Sequence, residues 1–219
     1  MKTRDKILDT SLHLFNVQGI DPITVRHVAK EMGISHGNLC YHFPRKEDII
    51  QQLYLNLVAE LDREIHQLQA QTPQLELILA SIKTTFAIQY KYKFILIDFV
   101  AIMRNIPAIR THFRELFIRR QQEFSALIQY MIKAGYFRDE YYTGQYRQFI
   151  TSFYLIGDFW IAESEILFEG TDAAKLEHYT QLALSLVFPY LTDKGQQELL
   201  SVTTASNRES NNNIEVKRG

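Results

Sequence analysis

Apolar residues return every three or four positions along most of the chain, the spacing that lines one face of an α-helix. Over residues 3–18 the stripe is Ile7, Leu8, Leu12 and Phe15; over 45–69 it is Ile49, Leu53, Leu57, Leu61, Ile65 and Leu68. No strand-like alternation of useful length appears.

Glycine, proline and short hydroxyl residues punctuate these stripes. Gly19 is placed to stop the first helix, because glycine tolerates the positive φ of a helix C-terminus. Asp21-Pro22 reads as a turn, and Thr24 as the N-cap of a short helix whose inner face is Val25, Val28, Ala29 and Met32. Gly33 ends that helix. Ser35 caps another, running to about His42, with Leu39 and Phe43 inward. Pro44 breaks the chain before the long helix 45–69. Thr72-Pro73 is the clearest break beyond it, and further helices are predicted over 73–90, 94–105, 107–134, 139–168 and 172–191. Residues 201–219, rich in Ser, Thr and Asn, are expected to form a disordered tail. The predicted fold is all-α: an N-terminal three-helix helix-turn-helix domain over 1–46, a larger helical domain over 47–200, then the tail.

Two short helices joined by a three- or four-residue turn containing glycine have the layout of a helix-turn-helix. Here Val28 and Ala29 are small enough for the second helix to cross the first closely, Gly33 permits the turn, and Ile34 plugs the core beneath it. The second helix is polar for its position. Ser35, His36, Gly37, Asn38, Tyr41 and His42 leave only Leu39 and Cys40 as apolar members. Such a surface suits base edges and phosphates in a major groove; taken alone, it equally suits a solvated helix flank.

Composition adds exclusions more than identity. Net charge is −1, and residues 1–50 hold seven Lys/Arg against six Asp/Glu, so nucleic-acid binding would rest on where charges sit rather than on their total. The single cysteine, Cys40, leaves no internal disulfide and no multi-cysteine metal cage, which fits a reducing cytosol. His66, His112 and His178 lack ligand spacing, so neither a metal nor a cofactor is expected. The longest apolar stretch, Phe94 to Met103, spans ten residues and contains Asp98, too short to cross a bilayer. No apolar core of a signal peptide follows Lys2, Arg4 and Lys6. No catalytic triad, phosphate loop or carboxylate pair can be placed, so no enzyme is expected.

The segment 24–49 resembles the DNA-binding domain of the tetracycline-repressor (TetR) family. The resemblance is carried by Thr24, Arg26, Val28, Ala29, Gly33, Ile34, Ser35, Gly37, Leu39, Tyr41, His42, Phe43, Lys46 and Ile49 at fixed spacing. The preceding helix matches through Ile7, Leu8, Ser11 in place of a small alanine, Leu14, Phe15 and Gly19. It implies a dimeric, cytoplasmic regulator of transcription that binds double-stranded DNA and a small-molecule effector. Carried over by position, it implies phosphate contacts from Thr24, Arg26, Tyr41 and Lys46, and base or groove contacts from Ser35, His36, Gly37, Asn38 and His42. A lysine at a helix start opposes the dipole; either a phosphate holds Lys46 there or it swings into solvent. Cys40 departs from the aromatic common at its position; it reads as a buried structural thiol, with a redox sensor the alternative. Arg45 stands where a capping Asn, Asp or Ser is expected, so that helix start either frays or uses Arg45 on the backbone.

In the larger domain, 19 of the 27 aromatic residues lie between Phe86 and Trp160. Phe86, Tyr90, Phe94, Phe99, Met103, Phe113, Phe117, Phe153 and Tyr154 are candidates to line a cavity for an apolar ligand, the alternative being plain core. Asp98 and Asp158 interrupt apolar runs. A buried carboxylate needs a partner or takes a proton, and an arginine such as Arg104, Arg119 or Arg147 is the expected one, a cationic ligand the alternative. The helices over 139–168 and 172–191 are apolar on more than one face. They therefore call for a second burial surface, a copy of themselves in an isologous dimer. The expected function is a dimeric repressor released from a palindromic operator by a small, largely apolar molecule. An activator of the same fold, a carrier whose helix-turn-helix merely packs, and an all-helical enzyme are the rival readings.

Overall fold

The computed structural model describes residues 2–69 and 74–201. Among the described residues the α-helices in chain order include α1 (Thr3–Gln18), α2 (Val25–Glu31), α3 (His36–His42), α4 (Lys46–Gln69), α5 (Leu75–Lys91), α6 (Lys93–Ile97), α7 (Phe99–Asn105), α8 (Pro107–Lys133), α9 (Gln145–Leu167) and α10 (Asp172–Val187). Among the described residues there is no strand, and only one isolated antiparallel bridge, Phe137 to Leu191. The Thr72-Pro73 break and the tail expected over 201–219 lie, Ser201 apart, outside the described residues.

The local signals act as their chemistry dictates. Gly19 ends α1 at φ 77°, and Gly33 makes the α2–α3 turn at φ 65°. Oγ1 of Thr24 accepts the His27 N–H at 3.3 Å, and Oγ of Ser35 accepts the Asn38 N–H at 3.2 Å. The start of α4 is held without a capping residue at Arg45. Asp48, three positions into the helix, accepts the Arg45 backbone N–H at 3.0 Å and pairs with its guanidinium at 2.8 Å. The guanidinium hydrogen bond, with the backbone one behind it, holds the Asp48 carboxyl below the usual range, and the backbone bond supplies in reverse the cap the position lacks.

Three boundaries differ from the periodicity. The predicted helix 94–105 breaks at Asp98, whose backbone (φ −96°, ψ 22°) leaves the helical region. The helix predicted from 139 begins at Gln145, because Glu140 ties the backbone N–H groups of Gly144 and Tyr146 into a turn, at 3.2 and 2.7 Å. The helix predicted to 191 ends at Val187 in a 3₁₀ turn opened by Phe188-Pro189. Residues 193–201 then form a helical segment that the polar sequence gives no reason to expect. It seats against the chain after α8: Thr192 N–H donates to the Tyr136 carbonyl at 2.9 Å. A Cβ at Gly195 would fall inside contact distance of that same carbonyl oxygen. Gly195→Ala should therefore cost about 1–3 kcal/mol, read as a lowered midpoint in thermal unfolding; an unchanged midpoint would show that the segment is free to move.

Two apolar cores form: one reaches across residue 46 into the larger domain, and the other lies wholly within residues 75–199. The first joins α1–α3 and the start of α4 to Phe94, Ile95, Ile102, Met103 and Ile109 of α6–α8. The second joins α5, the end of α8, α9 and α10 around Trp160 and Ile161. Polar ties reinforce the first. Asn16 of α1 donates to the Lys91 carbonyl at 2.9 Å and accepts the Phe94 N–H at 3.1 Å. The N-terminal head is thus seated on α6 and α7 and carried by α4.

Candidate nucleic-acid interface and apolar cavity

Leu39, fully buried, pins α3 onto the head, with Phe43 just beyond it. The opposite face is open. Ser35, His36, Gly37 and Asn38 are exposed, Tyr41 is 85% exposed, and Thr24 and Arg26 are exposed beside them at the start of α2. A Cβ built on Gly37 would meet nothing within 4 Å, so backbone stands bare at the middle of the outward face. His42, half-buried, sets its ring edge-on to Tyr41. Eight of the nine candidate DNA-contact residues therefore lie on or beside one outward surface.

Lys46 is placed differently. Its Nζ donates to the Ile20 carbonyl at 2.6 Å, neither swung into solvent nor left unengaged. It ties the first turn of α4 to the turn after α1, which sets the angle at which the head leaves α4. Cys40 is likewise not the buried thiol expected of it. It is half-buried, with Sγ 3.3 Å from Nε2 of His36 one turn back.

The second feature is a cavity of about 290 Å³ between α4, α5, α8 and α9. Of the nine residues proposed to line it, Phe86, Phe113, Phe117, Phe153 and Tyr154 do so. Tyr90, Phe94, Phe99 and Met103 lie outside its lining. The break at Asp98 explains two of these: with α6 and α7 no longer collinear, Phe94 packs on Phe15 of α1 at 5.1 Å and Met103 joins the same core. Phe99 stands edge-on to Phe113 and Phe159, and Tyr90 stacks near Trp160.

The lining also includes residues the sequence reading did not single out. Leu61, Ile65 and Leu68 bring the second half of α4 into the wall, and Ser81, Thr85, Gln89, Arg120 and Glu123 join Asp158 as its polar members. The α4 stripe was visible, but periodicity says only that a face is buried, not that it faces a void. The cavity wall is fastened to α4 twice: Asp62 pairs with Arg120 and Arg119 of α8, at 2.5 and 3.5 Å, and the Tyr54 hydroxyl meets Nδ1 of His112 at 3.0 Å.

Neither interior aspartate has the arginine expected for it among the described residues. Asp98 sits at the α6–α7 break facing the turn after α1; burial, and then the nearby Asp21 charge, raise its carboxyl. Asp158 borders the cavity, and burial alone pushes it up to about 7. Among the described residues no group of His, Cys, Asp and Glu is arranged to hold a metal, and no helix is long and apolar enough to cross a membrane.

Two family models match the chain: bacterial regulatory proteins of the tetR family over residues 7–53, and a bacterial transcriptional repressor domain over 56–199. The HTH-type transcriptional regulator AcrR of Shigella flexneri is 34% identical over 53 residues, which is 24% of this chain and 25% of that protein. IcaR of Staphylococcus aureus, a negative transcriptional regulator of a biofilm operon, is 39% identical over 49 residues, 22% of this chain and 26% of its own length. The chain thus matches about a quarter of these curated relatives. A TetR-family regulator from Marinobacter aquaeolei has the same fold at TM-score 0.83 and 27% identity, covering 92% of this chain and 97% of that one. A gamma-butyrolactone receptor shares the fold alone, at TM-score 0.70 and 11% identity over 94% and 97% of the two chains. With both halves matched in order over a fold of the same kind, the chain belongs to the TetR family of bacterial transcriptional regulators.

Proposed function

We propose that the protein represses transcription as a symmetric dimer, placing its two α3 helices in successive major grooves of a palindromic operator and leaving when a small molecule fills the cavity. The observation that carries this is the outward polar face of α3, with Ser35, His36, Gly37 and Asn38 all exposed on a helix anchored by Leu39. Thr24 and Arg26 at the start of α2, with Tyr41, flank that face and are suited to phosphate, since free N–H groups and the dipole of a helix start favour anions.

Exposed apolar groups on α9 and α10 support a second copy as the occupant of that surface. Leu155, Phe159 and Ile166 are 60%, 40% and 82% exposed along one stripe of α9, and Leu182 of α10 is 42% exposed. Apolar groups four and seven residues apart share one face of α9, and with Leu182 of α10 beside them they suit a self-complementary four-helix contact. Leu155→Glu is expected to give a monomer in sedimentation at micromolar concentration. It should also lower DNA affinity at least a hundredfold with helix content unchanged, because each half-site would then be bound alone. A dimer that persists with full DNA affinity removes α9 from the interface.

Control by a ligand follows from the shared wall. α4 lines the cavity with Leu61, Ile65 and Leu68 at one end and carries the head through Lys46 at the other. A ligand that fits better when α4 has swung the heads out of groove spacing lowers DNA affinity by the same factor by which DNA lowers its own. About 1–3 kcal/mol of such coupling separates a repressed from an induced state.

A further inference from the structure

We infer that the molecule taken by the cavity is an organic cation with an apolar body, its positive charge held by Asp158. This rests on the reading that the cavity is the effector site and narrows the chemistry of what fills it.

The charges around the cavity decide the sign. On its α4–α8 side, Asp62 and Glu123 face Arg119 and Arg120. Asp62 lies 3.5 and 2.5 Å from the two guanidiniums, and Glu123 lies 3.8 and 3.9 Å from them. Two cations and two anions close on one another and balance. Asp158, on α9, stands outside that group with no ion pair or hydrogen bond among the described residues, yet it borders the cavity. It is one carboxylate too many. An anionic ligand would meet this charge, while the Arg120 guanidinium is already neutralised by Asp62 and Glu123 although its Nε keeps a free N–H; a purely apolar ligand would strip the water from Asp158 and offer nothing in return. A cation compensates it. Phe117 and Tyr154, ring centroids 5.4 Å apart, border the same space and offer the aromatic faces that attract alkylammonium groups and delocalised cations.

The same arrangement predicts a proton count. Burial raises Asp158 to about 7. The ionisable groups around it are Arg120, Glu123 and His112 of α8, Tyr54 and Asp62 of α4, and Tyr154 on its own helix, while α5 lines the cavity with no ionisable side chain. A cation binds the charged carboxylate, so below pH 7 binding must expel a proton and affinity falls by up to about tenfold per pH unit.

The test titrates the dimer with decyltrimethylammonium, decanol and decanoate, three probes with one chain length and charges of +1, 0 and −1. The readout is fluorescence of Trp160, the chain's only tryptophan, which stacks at 5.0 Å on Phe86 in the cavity lining. The cation is expected to bind at least tenfold more tightly than the alcohol, with decanoate weakest. Its affinity should drop from pH 8 to pH 6, and calorimetry in two buffers should show a released proton. Asp158→Asn should bring the cation down to the alcohol's affinity and remove the pH dependence. Equal binding of cation and alcohol, tighter binding of decanoate, or a cation preference that survives Asp158→Asn overturns the inference while leaving the cavity a binding site. If none of the three binds, the effector-site reading falls with it.

Discussion

Asn38→Ala will weaken operator binding by about thirtyfold to more than ten-thousandfold, because a lost base contact costs about 1–3 kcal/mol and a symmetric dimer loses it twice. Asn38 is the residue to test because it lies in the middle of the exposed face of α3, its backbone N–H held by Ser35, so truncating the side chain leaves the helix cap in place. The loss should be uneven: preference should relax at one base pair in each half-site and hold elsewhere. Arg26→Ala, by contrast, should weaken all sequences alike and flatten the dependence on salt, the signature of a phosphate contact. Fluorescence anisotropy with labelled duplexes, read against salt, separates the two. Uniform loss from Asn38→Ala would mean that α3 lies on the backbone rather than in the groove.

The second large effect is one of stability. Asp158 takes up its proton near pH 7 in the folded chain but near pH 3.9 when unfolded. Between those values the folded state binds more protons at Asp158 than the unfolded one, so this group's contribution to stability is most favourable below about pH 4 and falls by about 4 kcal/mol as pH rises to 7. Above that the cost is constant. Asp158→Asn removes this slope. At fixed protein concentration its melting midpoint, relative to the parent, should rise by about 10 °C between pH 4 and pH 8. Comparing variant with parent cancels the opposite slope from Glu60, Glu165 and Glu177, whose carboxyls are lowered by Lys91, Lys175 and Gln181 respectively. A difference that does not change with pH would mean that Asp158 is solvated or paired in solution. A retained, unpaired buried carboxylate is a cost to the fold, and such costs concentrate where a ligand is bound.

Local chemistry made the head readable before any coordinates. Thr24, Ser35, Gly19 and Gly33 each act within three or four residues of themselves, so their roles as caps and turns follow from residue type alone. The polar face of α3 was legible for the same reason: Leu39 and Phe43 had to turn inward, which sends Asn38 and Tyr41 out. What failed to show were outcomes decided across the fold. Phe94 and Phe86 look alike in sequence, and only the break at Asp98 sends one to the head and the other to the cavity. The hydrogen bond from Lys46 to the Ile20 carbonyl, 26 positions away, has no signal in the local sequence. Asp158 looked like half of an ion pair, and its isolation depends on Arg119 and Arg120 being claimed by Asp62 and Glu123 instead. The helix at 193–201 owes its place to Gly195 fitting under the Tyr136 carbonyl, a contact between distant segments.

Selection of duplexes from a random pool at low salt, followed by footprinting of the winners, tests the reading of α3 most directly. An inverted repeat should emerge, its half-sites centred about 34–36 Å apart or a whole number of turns further, protected on the major-groove side. The Asn38→Ala protein should select the same repeat with one position per half-site degenerate. No enrichment over the pool, or a site without two-fold symmetry whose sequence is indifferent to Asn38, would contradict it.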